Sequence, residues 1–382
     1  MSHSLSDRAC PRCSDHRPIL VNGQASGLLF ALATLLVPPG VSGETSTPGD
    51  AAFEILNSAD VRLSEGNVRL RRISGTRETA LALTNANICA DYAPAPADIV
   101  SSPRTRRETR WGGQFTGRWN TAGTVSGLAA LGGYRGFTDY RSIWLDEYYR
   151  QLFSVVPEYR AIEPWGANAS AGARWAYVPG SAFAQGILAW QHDRVSPGYE
   201  PQVFAPLRRG RDRLETFALK LSTENILSPT WRTLFEASVV DTTGRRPRYA
   251  LQASANWAAS DAWTLRTVLS GVTEQPAFRA WSGALTLERD WAARWFAGLT
   301  LRAYRDTGEV VDPLIPSSAA SALRTIHTAA SLRWQGDRAA FRLEAGPYRS
   351  RYAALPPASA QFARLYRQRD WLRVTLAADW RP

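Results

Sequence analysis

Lysine is almost missing from this chain: of its 45 basic residues, Lys220 is the only one that is not arginine. Cysteine occurs three times and methionine once. Cys10 and Cys13 have a C-x-x-C spacing, but no second pair follows, which excludes a four-cysteine zinc site and a disulfide framework. Past the N-terminal region no run of about 18 apolar residues occurs, which excludes an ordinary transmembrane helix but not strands, whose faces need only alternate. The net charge is +11, yet the arginines are scattered among acids, with no basic helix and no nucleic-acid motif. That distribution argues against a nucleic-acid partner.

What is present begins with an export signal. Arg8, Arg12 and Arg17 precede the apolar core Gly27–Val37, Pro38-Pro39 end it, and Val41-Ser42-Gly43 supplies small residues. A signal peptide over residues 1–43, cleaved before Glu44, is the expectation. Cys89 would then be the one remaining cysteine, without an intramolecular partner.

Residues 44–107 differ in texture from the rest. Phe53–Leu56, Val61–Ile73 and Ala80–Tyr92 predict short strands, Gly66-Asn67 a tight turn, and the Ala- and Pro-rich stretch Ala93–Asp98 a linker. The reading is a periplasmic extension or plug. The run S-E-G-N-V-R-L at Ser64–Leu70 resembles the repeat unit of the periplasmic jelly-roll segment of lipopolysaccharide-transport proteins.

From Glu108 to Pro382 apolar and polar residues alternate with period two, the repeat of a strand with one apolar face. Trp111, Gly113, Phe115, Gly117 and Trp119 make one such row, and Trp165 to Trp175 another, with aromatics at both ends. Further strands are expected at 124–137, 141–153, 182–193, 212–225, 231–239, 249–257, 263–270, 278–288, 295–301, 326–334 and 341–345. Connections alternate short and long from Val178 onward. In the closing stretch Arg369–Trp380, Leu372, Val374, Leu376, Ala378 and Trp380 share one face. This resembles the C-terminal strand of Gram-negative outer-membrane β-barrels, although Arg381 and Pro382 follow the terminal aromatic. The resemblance implies an all-β, transmembrane, antiparallel up-and-down barrel of about 14 strands, with between about 12 and 16 admitted. It also implies a porin-like protein in the outer membrane, in contact with its lipid and recognised through its last strand by the barrel-assembly machinery.

On that register Arg118, Arg174, Lys220, Arg232, Glu236, Arg266, Arg294, Arg302, Arg333, Arg342, Glu344 and Arg373 line the lumen, with His327 and Asp379 on the same face. Cations outnumber acids there. The reading is a channel for small hydrophilic solutes, anions among them. The alternatives are a structural or assembly barrel that binds a periplasmic partner or lipid, and a barrel hydrolase. For the hydrolase, the His and Ser-Asn-Gly run of outer-membrane phospholipases is missing, and His192 and Asp193 are adjacent rather than two apart as in omptin-like proteases. No metal-ligand spacing occurs and no cofactor is expected.

Overall fold

In this computed structural model the described residues are 48–92, 104–138, 143, 146, 149–150, 159–195, 199–200, 208–274, 276, 278–310, 319–353 and 365–381. The expected signal peptide and the linker Ala93–Asp98 lie outside them. Strands run in chain order as β1 (Gly49–Asn57), β2 (Val61–Ser74), β3 (Arg77–Tyr92), β4 (Arg104–Ala122), β5 (Val125–Arg135), β6 (Trp165–Val178) and β7 (Ala182–Arg194). After the two-residue strands β8 (Tyr199–Glu200) and β9 (Arg208–Arg209) come β10 (Arg213–Ser228), β11 (Trp231–Thr242), β12 (Arg248–Ala258), β13 (Trp263–Glu274), β14 (Phe278–Ala292) and β15 (Trp295–Asp306). The short β16 (Glu309–Val310) and β17 (Ala319–Ala320) precede β18 (Leu323–Gln335), β19 (Ala339–Tyr352) and β20 (Arg369–Trp380). β8 pairs with β9 and β16 with β17; the other 16 strands close one antiparallel barrel, with β20 hydrogen-bonded to β1.

The period-two pattern dictates which way each side chain points. Leu131, Leu188, Leu251, Leu269 and Leu299 are each more than 60% exposed, and all lie on the outward rows. A continuous apolar exterior of this kind belongs in lipid. On β6 the rim residues Trp165 and Trp175 bracket the alanines of one outward row; their spacing corresponds to about 33 Å of strand, or roughly 25 Å of height after a 40° tilt. Tryptophans crowd the end where the connections are shortest. There Trp231 stacks on Trp257 with ring centroids 5.5 Å apart, Trp295 pairs with Trp334, and Trp334 stacks on Phe341 at 5.8 Å. Indole rings suit a water–lipid boundary, being apolar with one polar edge. By the usual asymmetry of such barrels the short-turn end is periplasmic and the long-loop end faces outward.

Two differences from the sequence reading concern the strand count. The segment 44–107 is barrel wall from Gly49 on: β1, β2, β3 and the start of β4 lie in it. Gly66-Asn67 is mid-strand in β2, because Phe53 of β1 lies opposite Gly66 and its ring covers the position. Ser64–Leu70 therefore pairs on both edges within the barrel. Conversely, Ile143, Asp146, Tyr149 and Arg150, inside the expected strand 141–153, are helical. Ile143 and Tyr149 are buried, each 3% exposed, while Asp146 accepts from Arg106 of β4 at 2.8 Å. Adding three wall strands and removing one takes the count of about 14 to 16. Cys89 lies on β3 and is disulfide-bonded in the full-length chain; the expectation concerned the chain after cleavage, from which Cys10 and Cys13 are gone.

Inside the outer mouth, beside the closing seam, Val61, Ala86, Ile88 and Ala90 of β2 and β3 meet Phe137, Ile143 and Leu365 from two long connections. This small apolar core fastens those connections to the inner wall. The seam itself is held at three heights. At the outer end Arg369, 4% exposed, donates from Nε to Asp60 at 3.0 Å; in the middle Arg373 meets Glu54 at 2.7 Å; near the periplasmic end Arg71 sits 2.9 Å from Asp50 and 3.7 Å from Asp379. Trp380 lies flat over Gly49, where a Cβ would fall 2.2 Å from the ring, so only glycine lets the terminal aromatic seal the junction.

Candidate functional site: the ionic lining of the barrel

The charged inward rows gather into groups, three of them built the same way. On β10, Glu224 accepts from Arg174 of β6 at 3.3 Å and also pairs with Arg232 of β11. Arg174 reaches across β7 by laying its guanidinium over the Phe183 ring, 3.9 Å from the centroid. On β14, Glu288 accepts from Arg266 of β13 at 3.2 Å and from Arg333 of β18 at 2.8 Å. Arg333 likewise crosses β15 on the Phe296 ring at 3.8 Å. Nearer the outer mouth Arg248 lies over Phe278 and meets Glu274 at 2.7 Å. In these three cases a phenylalanine ring beneath the guanidinium and a carboxylate at its edge hold it together, so the lining is held rather than waving free.

A third shared carboxylate is Glu344 of β19, 2.5 Å from Arg302 of β15 and 2.9 Å from Arg342 of its own strand. Arg302 also lies 2.8 Å from Nδ1 of His327, whose ring is 1% exposed and edge-on to Tyr348. Lys220 meets Glu236 at 2.5 Å, and Gln252 donates to the same carboxylate at 3.0 Å. Together these groups set nine cations, Arg174, Lys220, Arg232, Arg248, Arg266, Arg302, Arg333, Arg342 and Arg373, against six carboxylates, those of Glu54, Glu224, Glu236, Glu274, Glu288 and Glu344. Sharing one carboxylate between two guanidiniums satisfies the hydrogen bonds while leaving positive charge over. All of these acids but Glu54 are less exposed than their partners: Glu288 and Glu344 are 5% and 6% exposed, whereas the side chains of Arg232, Lys220 and Arg266 are 57%, 45% and 39% exposed.

The register thus puts all the residues read from the sequence as lumen-lining on the inward face except Arg294. That residue sits in the short turn between β14 and β15 and reaches Asp337 of a neighbouring turn at 3.1 Å, at the rim. Arg118 is inward on β4 opposite Glu78 and makes no ion pair among the described residues. Sequence reasoning missed Glu224, Glu288 and Glu54. Glu224 shares parity with Lys220 on β10 against Phe217, Leu219 and Leu221, and Glu288 on β14 is set against Trp281, Leu285 and Leu287, so the alternation itself could have found them. Glu54 was hidden because β1 was read as lying outside the wall.

His192 points to the lipid side, where Nδ1 lies 2.5 Å from Glu215 and the ring stacks near Trp165 and Trp190. Asp193 points inward and accepts from the Tyr134 hydroxyl at 2.9 Å. The two therefore cannot act on one substrate. Among the described residues no group of three His, Cys, Asp or Glu side chains is placed to hold a metal ion.

No family model matches the chain, and no curated protein matches it. Solved structures of similar shape include CdiB from Acinetobacter baumannii, at 8% identity and TM-score 0.49 over 87% of this chain and 60% of that one. The siderophore receptor PirA from Acinetobacter baumannii is similar at 10% identity and TM-score 0.41, over 82% of this chain and 54% of that one. OccAB3 of Acinetobacter baumannii gives 7% and 0.43, over 89% of this chain and 99% of that one. The chain spans 60% and 54% of the lengths of the first two. At such identities the likeness is one of fold alone.

Proposed function

We propose that this closed 16-strand barrel with an apolar exterior sits in the outer membrane of a Gram-negative bacterium, conducts small hydrophilic solutes through its lumen and favours anions. The observation that carries this reading is the asymmetry of exposure in the lining. Glu224, Glu236 and Glu288 are largely covered while their partners Arg232, Lys220 and Arg266 remain open to water, so a passing ion meets guanidinium and ammonium groups first there. A ring of excess positive charge in a low-dielectric wall concentrates anions and repels cations. A 16-stranded barrel is also wide enough to leave an aqueous passage. The inner apolar core narrows one side of the outer mouth, which favours small solutes over large ones.

Swelling of proteoliposomes tests the proposal. Vesicles containing the folded barrel should admit a small dicarboxylate faster than a diamine of similar size. Replacing Arg232 and Lys220 together by glutamine should narrow that difference. Equal rates for both solutes in the unmodified barrel, or no entry of either, would overturn it.

A further inference from the structure

The outward face carries a charged row that the lumen reading does not use. Trp281 of β14 lies directly opposite Arg305 of β15, Arg305 opposite Arg324 of β18, and Arg324 opposite Arg351 of β19. The row crosses four adjacent strands at the outer end, so its three guanidiniums stand on strands about 4.8 Å apart. Like charges placed directly opposite across a sheet repel. Arg351 is relieved by Asp370, at 2.6 Å, and by the Arg369 carbonyl at 2.9 Å. Arg305 and Arg324 are exposed and meet no carboxylate among the described residues. The nearest acid in sequence, Asp306, points inward and is occupied by Tyr304 and the Gly308 and Leu323 amides.

A comparable row on β5, β6, β7 and β10 shows that the arrangement is not merely a rim habit. There Arg135, Trp165, Arg194 and Arg213 stand in register, but Glu163 takes two hydrogen bonds from Arg135, both at 2.7 Å, and Glu215 lies on the same face below Arg213. That row brings its own anions. The row on β15 and β18 lacks them, and it borders the apolar belt: Ile326, 39% exposed, stands in the next outward row below, and Leu285 and Leu301, 42% and 47% exposed, in the row after that.

We propose that Arg305 and Arg324, flanked by Trp281 and Arg351, form a binding site for the phosphorylated headgroup of an outer-leaflet lipid. The planar forks can each grip phosphate oxygens in pairs, the indole takes the glycerol or sugar boundary, and the acyl chains lie on Leu285 and Leu301. Position selects a lipid over a dissolved anion, because the cations sit where headgroups must lie and apolar wall continues beneath them.

Native mass spectrometry of the folded full barrel in detergent tests the site, with phosphatidic acid and phosphatidylcholine as probes. Phosphatidic acid should bind at least fivefold more tightly than phosphatidylcholine. The variant carrying Arg305→Gln and Arg324→Gln should lose that preference, whereas Arg289→Gln, stacked over Trp263 at the opposite rim, should keep it. Both variants alter exposed side chains, and heat-shifted gel migration reports that they are folded. Equal binding of the two lipids, an unchanged preference in the double variant, or displacement by millimolar inorganic phosphate would overturn the proposal, the last by marking a site for free phosphate.

Discussion

Replacing Asp60 by alanine should loosen the closing seam of the barrel more than any other single change at a turn. Asp60 sits between β1 and β2 and accepts from Arg369 Nε at 3.0 Å and Nη2 at 3.1 Å, with the Ser58 hydroxyl at 3.2 Å. Arg369 is almost wholly buried, and its Nη1 donates to the Leu365 carbonyl at 3.2 Å. Removing the carboxylate takes the anion from a buried guanidinium that donates otherwise to the Leu365 and Arg367 carbonyls. Breaking a buried pair from one side costs ~3–5 kcal/mol. Asp60 keeps 18% exposure, so water can partly replace it, and the low end, about 3 kcal/mol, applies. That is about two decades in the unfolding equilibrium. Asp60→Asn keeps an acceptor oxygen and should cost about 1 kcal/mol. The double variant with Arg369→Ala buries no charge and should recover part of the loss. Urea unfolding in phospholipid vesicles, followed by tryptophan fluorescence, measures all three. A midpoint for Asp60→Ala equal to the unmodified barrel, or no recovery in the double variant, would refute the latch and leave the seam to its backbone ladder.

Other outcomes follow from the same geometry. Burial alone would push the Asp60 carboxyl up, but hydrogen bonding and charge from Arg369, with Ser58 and Arg367, hold it below its ordinary value of 3.8. Its contribution is therefore full above that value and lost as pH falls through the lowered one; the stability gap between the unmodified barrel and Asp60→Asn should be constant near neutrality and close in acid. Gly166→Val places a Cβ 2.3 Å from the Tyr134 ring and 2.4 Å from Asp193, and should lower the urea midpoint by an amount worth about 1–3 kcal/mol. Glu288→Gln leaves Arg266 and Arg333 sharing no anion but keeps an acceptor oxygen; it should destabilise the fold by roughly 1 kcal/mol and raise its anion selectivity in bilayer recordings.

Alternation made the wall from β4 onward legible, because a strand with lipid on one side and water on the other leaves a period of two in its sequence. Trp231, Phe235 and Val239 against Arg232, Glu236 and Ser238 need no further information. The start of the barrel was harder to read. β2 carries Arg62, Gly66 and few large outward residues, since Phe53 of its neighbour covers the gap, and a lipid face made by two strands jointly is invisible in either alone. The stretch around Ile143 misled for another reason: its apolar residues face an inner core built from distant strands, and helical spacing over so short a run resembles irregular alternation. The cations of the lining were readable one strand at a time, but their sharing of Glu224, Glu288 and Glu344 was not. Arg174 reaches Glu224 across an intervening strand, and such partners are fixed by barrel closure rather than by local pattern.

The zero-current potential of the reconstituted barrel in a planar bilayer, under a tenfold gradient of potassium chloride, tests the central claim most directly. A surplus of water-exposed cations in the lining predicts stepwise conductance with a potential of the sign set by chloride, shrinking when Arg232 and Lys220 are both replaced by glutamine. A folded barrel that stays silent, or one whose potential has the sign set by potassium, would contradict it.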